Sequence, residues 1–432
     1  MNSRQEEYKV WSLPSGLRYC LRRNSSNVAY CALTIATGTR FDVGFPAGTA
    51  HMTEHMLFRG TDRRSAGSID NCLEKLGGDL NAYTAKEETV INATVLQSDI
   101  GRAIDLLLEL AFRTSFDPDE LEKEKTVVLE EIDSFADDPS ESIFDRFEEL
   151  LFKGHPLSSM ILGNARSVRS MTPEALRTYR DMRFTPDRMY LTVEADISEL
   201  YLRRKVERTF AKNYPGSPVE AASFLTAPSP SFALIQESMQ SSADSLSLGT
   251  PFDLSVPGKH HQANCIIGCS AYSLYDERRY PLILLNNMLG GPESGSILNI
   301  LLRERNALVY NVETSYTLYA DTGVITIDFG CEKTNLDRCI RLVRKELETI
   351  RSKRFSDRAI KAAKRQMLGQ MSIASDNGET QVLSMGKSLL SYGQILSDAK
   401  VEERINSITS EQVYRVACEV FAPERLATLI YN

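Results

Sequence analysis

The sequence predicts an α+β protein built twice: two homologous domains from internal duplication, each a mostly antiparallel sheet with helices packed on it. Three observations predict this. The chain has 432 residues, beyond the length at which one hydrophobic core usually stops growing. Distant segments echo each other at a nearly constant spacing. A stretch rich in Ser, Pro and Ala separates the echoing halves.

The first echo pairs "SMTPEALRTYRDMRFTPDRMYLTV", from Ser170, with "SITSEQVYRVACEVFAPERLATLI", from Ser407. The shift of 237 places Phe184 on Phe421 and Arg188 on Arg425. Both copies read as a Thr-capped helix, a Pro turn and a strand. The second echo pairs "SFDPDELEKEKTVVLEEI" (115–132) with "RFSDRAIKAAKRQMLGQM" (354–371), shifted by 239. Ahead of each stands an alternating strand and then an amphipathic helix, "TVINATVLQSDIGRAIDLLLEL" and "GVITIDFGCEKTNLDRCIRLVRKEL". The expected domains are therefore 1–213 and 259–432. Residues 214–258 are expected to form a linker with at most one short ordered piece.

Bulk composition narrows the function. Hydrophobic and charged contents of 42% and 25% are those of an ordinary globular protein. A net charge of -8 argues against a nucleic acid or an anionic membrane as partner. No apolar run approaches the roughly 20 residues that span a bilayer, and "MNSRQEEYKVW" lacks a secretory core, so a cytoplasmic location is expected. The eight cysteines form neither a disulfide framework nor paired zinc spacing, and Cys265 and Cys269 read as reduced core thiols.

The chemistry concentrates in "HMTEHMLFRGT", residues 51–61, which holds two of the chain's five histidines. On a helix, positions i and i+4 share one face about 5–6 Å apart, so His51 and His55 can converge on one ion. Glu54 projects to the same side and can hold a water at the metal's open position. Catalytic zinc commonly takes three protein ligands, so a third must come from elsewhere. The acidic helix "DELEKEKTVVLEEIDSF" offers Glu124 and Glu131, two turns apart on one face, with Val127, Val128 and Ile132 as its apolar contacts. Glu131 completes the ligand set and Glu124 lies beside it, orienting a ligand or handling protons. The duplication supplies a control: the second copy has Gln370 in place of Glu131, and "PLILLNNMLGG" has no histidine. His155, His260 and His261 are not needed for the site.

HxxEH is the inverted zincin motif, which points to metal-assisted peptide hydrolysis. With it, the chain resembles the pitrilysin and insulysin family of inverted zinc metallopeptidases, particularly half-size members such as mitochondrial processing peptidase. "GTRFD" ahead of the motif and "FRGT" after it are also similar to family sequence. The resemblance implies one Zn2+ per chain and two domains facing each other across a cleft. It implies that Asn81 and Ala82, in "GGDLNAYTAKEETVINATVL", lie on a strand that pairs with extended substrate. In "LLRERNALVY", it implies that Arg303 and Tyr310 reach the substrate or the developing oxyanion. Two departures occur in this corner: Ala307 stands where the family often has glycine, and "GGPESGSILNI" replaces a "GGGMSSRLF"-like run.

The expected function is that of a zinc metalloendopeptidase acting on extended or unfolded peptides, with Glu54 as general base. A homodimer is expected, with a heterodimer containing an inactive paralogue as its variant. The alternative is a non-catalytic or heterodimeric subunit that binds peptides. An amidase acting on small molecules shares the zinc chemistry but needs neither the Asn81 strand nor a second domain.

Overall fold

The computed structural model describes residues 8–214, 223–224, 245–258, 262–292 and 294–432. His260, His261 and much of the linker lie outside the described residues. The first sheet comprises β1 (Lys9–Ser12), β2 (Arg18–Arg22), β3 (Val28–Ile35), β4 (Asp79–Thr84), β5 (Thr89–Leu96), β6 (Met189–Glu194) and β7 (Ser223–Phe224). The second comprises β8 (Asp253–Val256), β9 (Gln262–Ala271), β10 (Val309–Leu318), β11 (Gly323–Glu332) and β12 (Ala427–Tyr431).

The duplication is legible in the topology of each sheet taken alone. The first runs β4-β5-β3-β6-β2-β1-β7 and the second β10-β11-β9-β12-β8. Five strands thus repeat in one order. Both sheets are antiparallel except for one corresponding parallel pair, β2 with β6 and β8 with β12. The echoed helices also match: Thr172 caps Pro173–Arg183 through the Ala175 N–H, and Thr409 caps Ser410–Val420 in a capping box with Gln412.

β3 explains how the first core is layered. Alternate residues of a strand face opposite sides. Cys31, Leu33 and Ile35 enter the core shared with Ile104, Leu107 and Leu108 of helix Ile100–Arg113 and with Leu202 and Val206 of helix Glu199–Asn213. Ala32 faces the other way, beside Val382 of helix Gly378–Tyr392. That helix lies so close that a Cβ on Gly386 would stand 2.2 Å from Thr34 Oγ1.

The compact units depart from continuous boundaries. One gathers residues up to Asp133 with Ser159–Leu234 and Ile373–Ser397; the other gathers Ser134–Ser158, Ile235–Ser372 and Asp398–Asn432. Each contains one helix from the opposite half of the chain. Helix Gly378–Tyr392 packs on the first sheet, while Ile143, Phe147 and Leu151 of helix Pro139–Leu151 pack on Ile266, Val324 and Leu429 of the second. An amphipathic stripe must be covered, but its periodicity does not name the surface that covers it.

The linker contains more ordered pieces than expected. β7 pairs with β1, a 3-10 turn forms at Ser245–Ser247, and β8 adds a parallel edge to β12. The backbone groups of "DLSV" find partners on the open side of β12, which outweighs its weak sequence signal. All eight cysteines are free, and Cys265 and Cys269 are buried on β9 as expected. Among the described residues, no helix is long and apolar enough to cross a membrane.

Ala307 gives the glycine departure a structural meaning. It follows the π-helical turn Asn299–Glu304 with φ 49, in the left-handed region where glycine usually ends a helix. Its N–H donates to Arg303 O at 3.0 Å. Left-handed strain of about 1–2 kcal/mol for a residue with Cβ exceeds the roughly 0.5–1 kcal/mol entropy cost of glycine. Ala307→Gly is therefore expected to stabilise the protein by roughly 0.5–1 kcal/mol, read as a raised urea midpoint.

Candidate metal centre

Helix Thr49–Leu57 carries His51, Glu54 and His55 on one side, as their spacing predicts. Its other side is apolar. Met52 and Met56 join Leu121 and Val128 of helix Pro118–Asp137 in one buried cluster. Leu121 and Val128 each precede a site glutamate by three residues, so this seam brings Glu124 and Glu131 alongside the histidines. The expected apolar contacts need one correction: Val127 is 43% exposed, whereas Leu121 is fully buried. The glutamate helix is capped by Asp117, whose Oδ1 accepts from Asp119 N and Glu120 N at 2.9 and 3.2 Å.

The two imidazole rings stand 4.6 Å apart at their centroids. Glu131 Oε2 lies 3.8 Å from His51 Nε2 and 3.6 Å from His55 Nε2. Tetrahedral bonds of 2.0–2.1 Å to one zinc would set such atoms about 3.4 Å apart. These three residues form a group whose ligand atoms all lie within 4.8 Å of one another. Glu131 Oε2 and Glu54 Oε2 are also buried oxygens without a hydrogen-bond partner. Orphaned buried oxygens call for a cation or a proton donor, so the donor set fits a metal.

Glu124 occupies the second position. Its Oε2 lies 2.9 Å from His55 Nδ1, which leaves Nε2 turned toward Glu131. Its Oε1 forms an ion pair with Arg59 Nε at 2.5 Å. A carboxylate on the far nitrogen fixes the orientation of a ligating imidazole. Burial works against the Glu124 charge, but His55 and Arg59 together hold its carboxyl below the usual range.

The electrostatics divide the two histidines. Burial lowers His51 to about 4, with His55 adding to the effect and Glu131 opposing it. Burial also disfavours a charged His55, but Glu124 and Glu131 outweigh it and raise the group to about 9. His55 beside it holds Glu131 low against burial. Burial raises Glu54, and the Thr84 hydroxyl at the end of β4 pulls it partly back. A carboxyl pushed toward neutrality is suited to accept a proton and release it.

Asn81 and Ala82 lie on β4, an edge strand of the first sheet, bonded to β5 on one side. Asn81 is exposed and donates to Asp79 Oδ2 at 2.6 Å. Arg303 and Tyr310 belong to the other compact unit. Arg303 Nε donates to Glu304 Oε1 at 3.0 Å, and Tyr310, at the start of β10, is 76% exposed. His155 accepts from Leu157 N and faces Asp321 at 3.2 Å, a local structural arrangement. Sequence reasoning missed Arg59 and Thr84 as site residues. Arg59 lies within "FRGT", a segment noted only as family-like, and Thr84 carried no signal of its own.

Residues 18–165 match the family described as Insulinase (Peptidase family M16), and residues 170–367 match Peptidase M16 inactive domain. Similar chains include "Uncharacterized zinc protease YmxG" of Bacillus subtilis, 28% identical over 98% of each chain. Another is "Probable mitochondrial-processing peptidase subunit beta, mitochondrial" of Arabidopsis thaliana, 28% identical over 95% of this chain and 76% of that one. The fold is shared with a protease from Helicobacter pylori, at a TM-score of 0.85 and 16% identity over 99% of both chains. Two M16 domains follow one another, and the ligand group lies wholly within the segment matching the first. The chain belongs to the insulinase, or M16, peptidase family as a half-size member.

Proposed function

We propose that this protein is a zinc-dependent endopeptidase that hydrolyses peptide bonds in extended or unfolded peptides. The observation that carries the reading is the convergence of His51, His55 and Glu131 beside a buried, unpaired Glu54 oxygen. His51 and His55 would hold zinc through their imidazoles and Glu131 through its carboxylate. Bound there, zinc supplies a Lewis acid that acidifies water and polarises a carbonyl.

The protein's own groups handle the protons. Glu54 accepts one from the attacking water and delivers it to the leaving amine, and burial keeps its carboxyl ready for both steps. Glu124 and Arg59 keep His55 in register. The outer edge of β4, with Asn81 and Ala82, receives extended substrate backbone, a mode that favours unfolded chains. Arg303 and Tyr310 are assigned to substrate contact from the family resemblance. The catalytic domain is assigned to residues 1–213, with helix Gly378–Tyr392 added to its core.

Cleavage of a mixed set of unfolded peptides, followed by mass spectrometry with and without a chelator, tests the reading. Zinc-dependent cleavage supports it. Zinc binding without cleavage would favour the second reading, a peptide-binding subunit that needs a partner. That reading draws on the Arabidopsis relative, which is named as a subunit. Cleavage restored by a co-purifying chain of similar size would establish a heterodimer, whereas cleavage by a two-copy particle of this chain alone would establish the homodimer.

The histidine electrostatics also predict a proton count. At pH 7, His55, raised to about 9, is protonated in the metal-free protein, whereas His51, lowered to about 4, is neutral. Ligation requires both to be neutral. Zinc binding at pH 7 is therefore expected to release at least about one proton, measured by calorimetry in buffers of different ionisation enthalpy. Affinity should rise by about tenfold or more per pH unit from 7 to 9.

A further inference from the structure

Helix Thr49–Leu57 begins without a cap of its own. Gly48 precedes it with φ 85 and has no side chain to accept the first N–H groups. Asp42, six residues upstream, does so instead: Oδ2 accepts from Gly48 N at 2.9 Å and Oδ1 from Ala50 N at 3.1 Å. Ala50 immediately precedes His51. Carboxylates are favoured at such a position because the first turn exposes orphan donors and a partial positive charge.

The carboxylate is held at a cost. Asp42 is only 4% exposed, and burial raises its carboxyl to about 7 although backbone donors at Ala50, Gly48 and Thr49 and the charge of Arg183 oppose the shift. Its main chain is pinned too, with its N–H donating to Thr39 O and its carbonyl accepting from Phe45 N at 2.7 Å. The neighbouring turn has no slack. A Cβ on Gly48 would stand 2.7 Å from Leu162 O, and one on Gly163 would stand 2.2 Å from Ala47 O.

We propose that Asp42 is a positioning residue for the metal centre, clamping the first turn of helix Thr49–Leu57 so that His51 meets Glu131 and His55. This inference rests on the metallopeptidase reading. Asp42 touches neither metal nor substrate, and it acts through the backbone. His55, one turn further on, has its own anchor in Glu124, so the loss of Asp42 releases His51 selectively. A ligand shift on the order of 0.5 Å is enough to spoil a preorganised site.

The test measures zinc affinity by chelator competition and the visible spectrum of the cobalt-loaded protein for Asp42→Ala, Asp42→Asn and Val206→Ala. Val206 is buried in the first core, and its truncation lowers stability without touching the clamp. Asp42→Ala is expected to weaken zinc by about 10–100-fold, as for other groups that orient ligands, and to alter the cobalt bands. Asp42→Asn keeps one acceptor oxygen but sets an NH2 donor against the other backbone N–H, so it should also weaken zinc, which supplies the comparison if the alanine variant fails to fold. Unchanged affinity and spectrum in the asparagine and alanine variants that fold, or an equal loss in Val206→Ala, would overturn the proposal. Absence of zinc binding by the unaltered protein would overturn the metallopeptidase reading itself. Tight binding without peptide cleavage would leave the clamp measurable and remove only the activity.

Discussion

Replacing Glu54 with glutamine is expected to lower kcat by about 10²–10⁴-fold, the usual contribution of a positioned general acid–base group, while leaving zinc bound. Glutamine matches glutamate in size, so the helix and both histidines keep their packing. It cannot take a proton. Glu54 Oε2 is buried without a partner, and the group's raised pKa reflects that burial. Substitution thus replaces a desolvated carboxyl with a neutral amide of the same shape and is expected to leave stability nearly unchanged. Rates on a cleaved peptide, with metal content measured on the same samples, check the pair of outcomes. A Glu54→Gln protein that holds zinc and still cleaves within tenfold of the normal rate would exclude Glu54 as the base.

The second large effect concerns the two glutamates of helix Pro118–Asp137. Glu131→Gln is expected to weaken zinc binding by more than about 100-fold, beyond the 10–100-fold range for a group that only orients a ligand. Its oxygen lies within 3.8 Å of both imidazole Nε2 atoms, and a neutral amide is a poor substitute for an anionic ligand. Glu124→Gln is expected to fall inside that range, because it loosens His55 and leaves the charge of Arg59 unpaired while keeping all three ligands. Competition with a chromogenic chelator at one pH ranks the variants. A larger loss for Glu124 than for Glu131 would exchange their assigned roles.

The second half of the chain contains the same substitution naturally. Gln370 follows Phe355 at the same spacing by which Glu131 follows Phe116, and the two histidines of the first copy have no counterpart in "PLILLNNMLGG". The repeated strand order therefore survives without the metal chemistry, so the ligands are not needed to form the sheet. Apolar seams and paired backbone groups build each fold, and the ionisable residues are placed upon it.

What depends on local periodicity was legible in the chain alone. Histidines four apart and glutamates seven apart had to share helix faces, since the helical repeat sets those directions whatever the neighbours are. Alternation and the echoed caps likewise determined strands and helix starts in both halves. Which surfaces meet was settled by packing in three dimensions. It chose Leu121 over Val127 for the seam, placed Arg59 on Glu124 and Thr84 beside Glu54, and bound Asp42 to the first turn of the histidine helix. It also seated helices Pro139–Leu151 and Gly378–Tyr392 on sheets from the opposite halves. The reason is physical: backbone geometry repeats along the chain, whereas the partner of a buried face is selected by packing among surfaces that similar hydrophobic patterns make equally apolar.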